Sequence, residues 1–123
     1  MKTIATNSAP AAIGPYSQAK VVGNLVFTSG QLPLDAASGE FAGEDISSQA
    51  HCSIQNLEAI LKAAGSSLEN VIKTTCFLAD MADFAAFNEI YARYFTGKPA
   101  RSCVAVKSLP KGALVEVEVI ASH

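Results

Sequence analysis

Arg101, Cys103, Glu116 and Glu118 are the side chains of this sequence whose types and spacing could do chemistry. All four lie in PARSCVAVKSLPKGALVEVE, the stretch from Pro99 to Glu118. Arg101 to Val106 reads as a strand, and alternation puts Arg101 and Cys103 on one face. Leu109-Pro110-Lys111-Gly112 supplies a turn, proline fixing one dihedral and glycine permitting positive φ. Leu114 to Ile120 alternates again, with Glu116 and Glu118 on one face and Val115, Val117 and Val119 on the other. A guanidinium, a thiol and carboxylates thus sit on short apolar strands, where charges are costly unless paired or used.

Several chemistries are set aside by what the sequence lacks. There is no GxGxxG or GxxxxGK[ST] phosphate loop, no HExxH and no paired Cys/His metal spacing. The two histidines, His51 and His123, are not placed for a triad, so a Ser or Cys nucleophile loses its usual activator. Cofactor-free chemistry with a carboxylate and a water remains available. The formal charge of −2 gives nucleic acid no general attraction. Three cysteines, an odd count with no CxxC, read as a reduced thiol inventory and a cytoplasmic location. No run approaches the ~18–20 apolar residues that span a bilayer, and the N-terminus lacks a signal-peptide layout.

The 123 residues suffice for one domain, 1–123, with a core that needs no disulfide or metal. Half are apolar and only 16% charged, which points to self-association through an apolar surface. Asn7 to Gly14 is loop, and Gly14-Pro15-Tyr16-Ser17 leads into a strand through about Val22. Gly23-Asn24 is a hairpin turn, followed by the strand Leu25 to Gly30. Gly30 reads either as a bulge or as a close approach of backbone to a ligand. Gln31 to Gly43 is a long connection.

Asp45 or Ser47 caps a helix to Ala64, with Gly65 at C′ and a stripe of Ala50, Ile54, Leu57, Leu61 and Ala64. His51 beside that stripe reads as structural. Val71 to Leu78 is a strand reached by a crossover, so locally parallel pairing is expected. A second helix starts at Asp80 or Asp83 and runs through Phe95, burying Phe84, Phe87, Tyr91 and Phe95. Asn88 falls on that same face, as a structural hydrogen bond or a ligand contact. The order is β-β-α-β-α-β-β, an α+β domain with two helices on one face of a mixed sheet. Val26, Thr28, Val104, Val117 and Val119 exceed what two helices cover, so association of copies through their sheets is expected.

GPYSQA from Gly14, FTSGQLP from Phe27, FNEIYARYF around Asn88 and PARSCV with the trailing VEVEVIA resemble the RidA/YjgF/YER057c family over essentially the whole chain. The resemblance implies a chorismate-mutase-like fold in a homotrimer with a central sheet barrel and clefts between subunits. It implies cofactor-independent hydrolysis of 2-imino and enamino acids, released by pyridoxal-phosphate enzymes, to 2-oxo acids and ammonia. Arg101 matches the arginine that binds the substrate carboxylate, and Glu116 the glutamate that positions or activates water. Tyr16, Ser29, Gly30, Asn88 and Cys103 match residues lining the cleft. Cys103 reads as cleft lining, with proton transfer or covalent catalysis as its alternative. The short segment Thr96-Gly97-Lys98-Pro99 is expected to reshape the cleft mouth. A non-catalytic trimer that binds small carboxylates is the alternative class, and an RNA-cleaving protein a third; no nucleic-acid or membrane partner is expected.

Overall fold

A computed structural model describes residues 1–123. In chain order its elements are β1 (Lys2–Ile4), β2 (Ala19–Val22), β3 (Leu25–Thr28), α1 (Ile46–Ala63), β4 (Val71–Leu78), α2 (Phe84–Tyr94), β5 (Ala100–Ala105) and β6 (Val115–Ser122). They build one mixed six-stranded sheet, ordered β1-β2-β3-β6-β4-β5. Only the β4–β5 pair is parallel, with α2 as the crossover between its strands; every other pair is antiparallel. β3 and β4 both run antiparallel to β6, so they run parallel to each other with β6 between them. The parallel crossover through α1 is therefore present, but the strands it joins are not neighbours.

Three expectations change. A strand at Lys2–Ile4 adds to the β-β-α-β-α-β-β order, pairing Thr3 with Lys20 on the outer edge. It is too short to carry an alternation signal of its own. The first hairpin strand starts at Ala19 rather than near Tyr16, because Gln18 turns inward to bind the preceding loop. The Gln18 side chain accepts from Thr6 N–H at 2.7 Å and donates to the carbonyls of Pro10 at 2.8 Å and Thr6 at 3.1 Å. Finally, Val26, Thr28, Val117 and Val119 are all buried beneath the helices, and only Val104 of that set points away. Two helices cover more of this sheet than the sequence suggested, since α1 lies along β6 at its centre.

The helices form for legible reasons. Asp45 caps α1 by accepting from Ser48 N–H at 2.8 Å. At the other end Gly65, at φ +77°, closes the helix: its N–H bonds Lys62 O and Ser66 N–H bonds Leu61 O, the paired bonds of a Schellman cap. The stripe Ala50, Ile54, Leu57, Leu61 and Ala64 is buried as its spacing predicts. In α2, Phe87, Tyr91 and Phe95 are buried and Phe84 packs at the margin of the core. His51 bridges the helices through Nδ1 to the Tyr94 hydroxyl at 2.8 Å, a structural bond.

The opposite sheet face carries no helix. Val22, Phe27 and Val104 are exposed on it by 49%, 40% and 47%. In-register pairing brings Lys73, Thr75, Phe77, Glu116, Glu118 and Ile120 to the same side. No helix of the protein is long and apolar enough to cross a membrane.

The long connection from Gln31 to Gly43 is tied down by α1. Asn56 is buried and its Nδ2 donates to Leu32 O at 3.1 Å and to Leu34 O at 2.9 Å. Asn56→Leu removes one donor from each carbonyl, leaving Leu32 O only the Leu34 N–H and Leu34 O only the Cys52 thiol, at a cost of about 1–3 kcal/mol. Urea unfolding should show a lower midpoint with an unchanged slope; an unchanged midpoint would mean that these bonds contribute no net stability.

Candidate active site

The sequence-predicted site residues fall into two groups on opposite faces of the sheet. Arg101 stands in register with Thr74 and Cys103 with Cys76. Thr74 and Cys76 are wholly buried beneath the helices, so Arg101 and Cys103 face α2. Glu116 stands in register with Phe77 and Glu118 with Thr75, on the uncovered face. A single copy therefore does not bring Arg101 and Glu116 together.

Arg101 is held from several directions. Its Nη1 donates to Asn88 Oδ1 at 2.7 Å. Its guanidinium carbon lies 4.7 Å from the centroid of the Tyr91 ring and 5.4 Å from that of Phe84, both within cation–π range. The Tyr91 hydroxyl in turn bonds Thr74 Oγ1 at 2.8 Å. Asn88, offered by the sequence as a structural bond or a ligand contact, is thus a partner of the arginine itself. Arg101, Asn88, Tyr91, Ala92, Phe95, Thr96, Lys98 and Pro99 line an open cavity of about 550 Å³ that contains no acidic side chain. Phe84, Tyr91 and Thr74 were visible in the sequence only as core and strand residues. For Phe84 and Tyr91 the spacing one turn either side of Asn88 on α2 was the available signal; Thr74, on β4, offered none.

Cys103 sits beside this arginine, yet its thiol is pushed above the ordinary range. Burial is the largest influence, outweighing the opposing pull of Arg101 and of the Cys76 side chain. Desolvation of the charged form thus outweighs the neighbouring guanidinium, which by itself favours the thiolate. Cys76, deeper still, is pushed up to about 12, again chiefly by burial. Tyr91 is raised for the same reason, so its phenol stays neutral beside the guanidinium.

The second group lines a cavity of about 530 Å³ that includes Tyr16, Ser29, Gly30, Leu32, Leu34, Lys111 and Glu116. Ser29 is fixed by donating its hydroxyl hydrogen to Ser17 O at 2.6 Å. At Gly30 the close neighbour is a side chain of the protein itself: a Cβ there would collide with the Glu116 carboxylate. The glycine lets Glu116 lie along the β3 end, held against backbone. Gly112 adopts φ +73° in the turn before β6, as expected of its glycine, while the φ of +59° at Lys111 was not indicated by the sequence.

Glu116 is half-buried and its carboxyl is raised from the ordinary value of 4.5, first by burial and second by the neighbouring Glu118 charge. A raised carboxylate is a better base than a free one and gives a neutral acid once protonated. No group of His, Cys, Asp and Glu side chains is arranged to hold a metal ion.

Comparison with known proteins gives matches over essentially the whole chain, under mixed names. The family model described as Endoribonuclease L-PSP matches residues 6–123. The RutC family protein y4sK of Sinorhizobium fredii is 51% identical over 99% of this chain and 98% of its own length. The 2-iminobutanoate/2-iminopropanoate deaminase of Salmonella typhimurium is 50% identical, with 98% and 96% covered. The crystal structure of Escherichia coli TdcF with bound serine superposes at a TM-score of 0.96 with 45% identity, over 100% of this chain and 99% of that one.

The Glu116 shift has a sign that stability measurements can read. The native state keeps this proton to higher pH than the unfolded chain does, so the group costs stability as pH rises from 4.5 towards its folded value, and costs nothing below. Glu116→Gln should therefore gain on the parent across that rise and converge with it at lower pH. Urea midpoints in a pH series test this; a gap independent of pH would contradict it.

Proposed function

This chain belongs to the Endoribonuclease L-PSP family, to which the RidA/YjgF/YER057c resemblance pointed, and we propose that it is a hydrolytic deaminase of 2-imino acids. The observation that carries the reading is the division of the site: a carboxylate-binding half around Arg101 and a proton-accepting half around Glu116, on opposite sheet faces of one copy. Such halves become one site when the Arg101 side of one copy meets the Glu116 side of another. The uncovered face with Phe27 and Val104 supplies the surface for that association. We assign the arrangement to a homotrimer built around its sheets, with a cleft at each junction, in a chorismate-mutase-like manner.

The chemistry then follows. Arg101 offers parallel N–H donors to the substrate carboxylate, which fixes the imine carbon in the cleft. Tyr16, Ser29 and the backbone at Gly30 wall the other side. Water attacks the protonated C=N carbon while Glu116 accepts a water proton. The carbinolamine nitrogen then receives that proton, and as Glu116 takes the hydroxyl proton the C–N bond breaks, releasing ammonia and a 2-oxo acid. The protonated imine is already electrophilic, so orientation and proton transfer suffice and no cofactor is invoked. Serine bound to TdcF is a small amino-acid carboxylate of the kind Arg101 would clamp.

The endoribonuclease of the family description is the second reading. It calls for a phosphate-binding surface, and the formal charge of −2 supplies no general attraction for RNA.

A dehydratase-coupled assay with semicarbazide as imine trap tests the leading reading. The protein should cut semicarbazone formation by diverting imine to oxo acid. Arg101→Ala should abolish this, and Glu116→Gln should lower turnover by at least ~10²-fold while retaining carboxylate binding. Val104→Asp should yield monomers by light scattering and lose the activity with the assembly. Parity of wild type and Arg101→Ala would leave a carboxylate-binding protein or an RNA-directed one.

A further inference from the structure

We infer that Tyr91 is a positioning residue for the carboxylate clamp, setting the affinity of Arg101 for its ligand by holding the plane of the guanidinium. The inference rests on the reading of Arg101 as the carboxylate-binding group, and it adds which residue fixes that group.

An arginine on an isolated strand edge is a poor bidentate donor, because its long stem samples many rotamers and each must be frozen on binding. β5 is such an edge: it pairs only with β4 and is the last strand of the sheet. Nothing in the strand itself orients the Arg101 side chain. The orientation comes from α2, which presents Phe84, Asn88 and Tyr91 at helical spacing towards it. Asn88 engages one terminal nitrogen, Nη1, at 2.7 Å. That single bond leaves the guanidinium free to swing about its N–H···O axis. The Tyr91 ring, 4.7 Å below the guanidinium carbon, removes this freedom, with Phe84 at 5.4 Å as the outer wall. The remaining N–H edge is then the part available to a carboxylate.

Tyr91 is itself unusually well fixed. Its ring packs on Phe87 at 5.7 Å and on Phe95 at 4.5 Å between centroids. Its hydroxyl is anchored at 2.8 Å to Thr74, the residue that stands in register with Arg101 on the neighbouring strand. Thr74 also receives the Cys76 thiol at 3.8 Å, so the anchor is part of the buried sheet layer. The chain of contacts runs from β4 through Thr74 and Tyr91 to Arg101, and it places the phenol ring by reference to the same strand pair that carries the arginine. A leucine at position 91 would fill part of the same core volume and would provide neither the anchor nor the π face. A neutral phenol also cannot compete with the ligand as a counter-ion.

The test is a double-mutant cycle read by calorimetric binding of 2-oxobutanoate to the full chain, with imine turnover measured separately. Tyr91→Leu should raise Kd and KM about tenfold while kcat at saturation changes less than about threefold. Tyr91→Phe, which keeps the ring and is the safer fold, should raise Kd only about twofold to fivefold, and Thr74→Val should match it. In an Arg101→Lys background, where no planar group stacks, Tyr91→Leu should shift Kd less than about twofold, because the coupling is gone. A structural role alone would lower the melting temperature of Tyr91→Leu and leave Kd unmoved in both backgrounds. That pattern, or equal shifts with arginine and with lysine at position 101, overturns the inference while the deaminase reading stands. If Arg101→Lys and Arg101→Ala bind 2-oxobutanoate as the parent does, the clamp reading and this inference fail together, and the absence of any Arg101 dependence identifies that case.

Discussion

Alternation of side chains across one sheet is the constraint on which everything else here depends. β6 lies between β3 and β4, and its side chains point to the helices and away from them by turns. The valines at 115, 117 and 119 complete the core, which obliges Glu116 and Glu118 to the other side. The same rule on β4 and β5 sends Arg101 and Cys103 under α2. A slip of one residue in β6 would bury the glutamates in the core, and one in β5 would send Arg101 and Cys103 to the uncovered face. The apolar half of the alternation is therefore what holds the charged half in place. Burying each valine contributes on the order of 1.5–3 kcal/mol, more than exposed charge interactions supply.

Much of this was legible beforehand, and the reasons are specific. The VEVEV run declares both its strand and its two faces, because bulky β-branched residues and carboxylates seldom share a face. The α1 cap at Asp45, the Gly65 stop and the buried stripe between them are local features, and local features survive folding. The strand Lys2–Ile4 was not legible, since it has three residues on an outer edge and is stabilised by partners far along the chain, Lys20 among them.

The site was legible as residue types and not as an arrangement. Both PARSCV and VEVE alternate, but alternation says only which residues share a face with one another within a strand. Relating the Arg101 face to the Glu116 face needs the register of each strand on β4, a tertiary fact. The same holds for Cys103. Its closeness to Arg101 was correct, while the balance between that charge and burial was decided by the α2 packing above it. Asn88 illustrates a third kind of limit: its place on the buried stripe was clear, and its partner, thirteen residues away, was not.

The division of labour between the faces also explains how two opposed electrostatic demands are met in one small fold. A clamp needs a cation that keeps its charge and has no internal counter-ion. A base needs a carboxylate whose proton affinity is raised. On a shared face the arginine would pair with Glu116, lower its proton affinity and fill its own donor edge. Separation by the sheet avoids both. Arg101 is met by neutral groups, an amide oxygen and two aromatic rings, while Glu116 is met by burial and a like charge. Within one copy each charge is thus left unquenched, as the proposed clamp and base require.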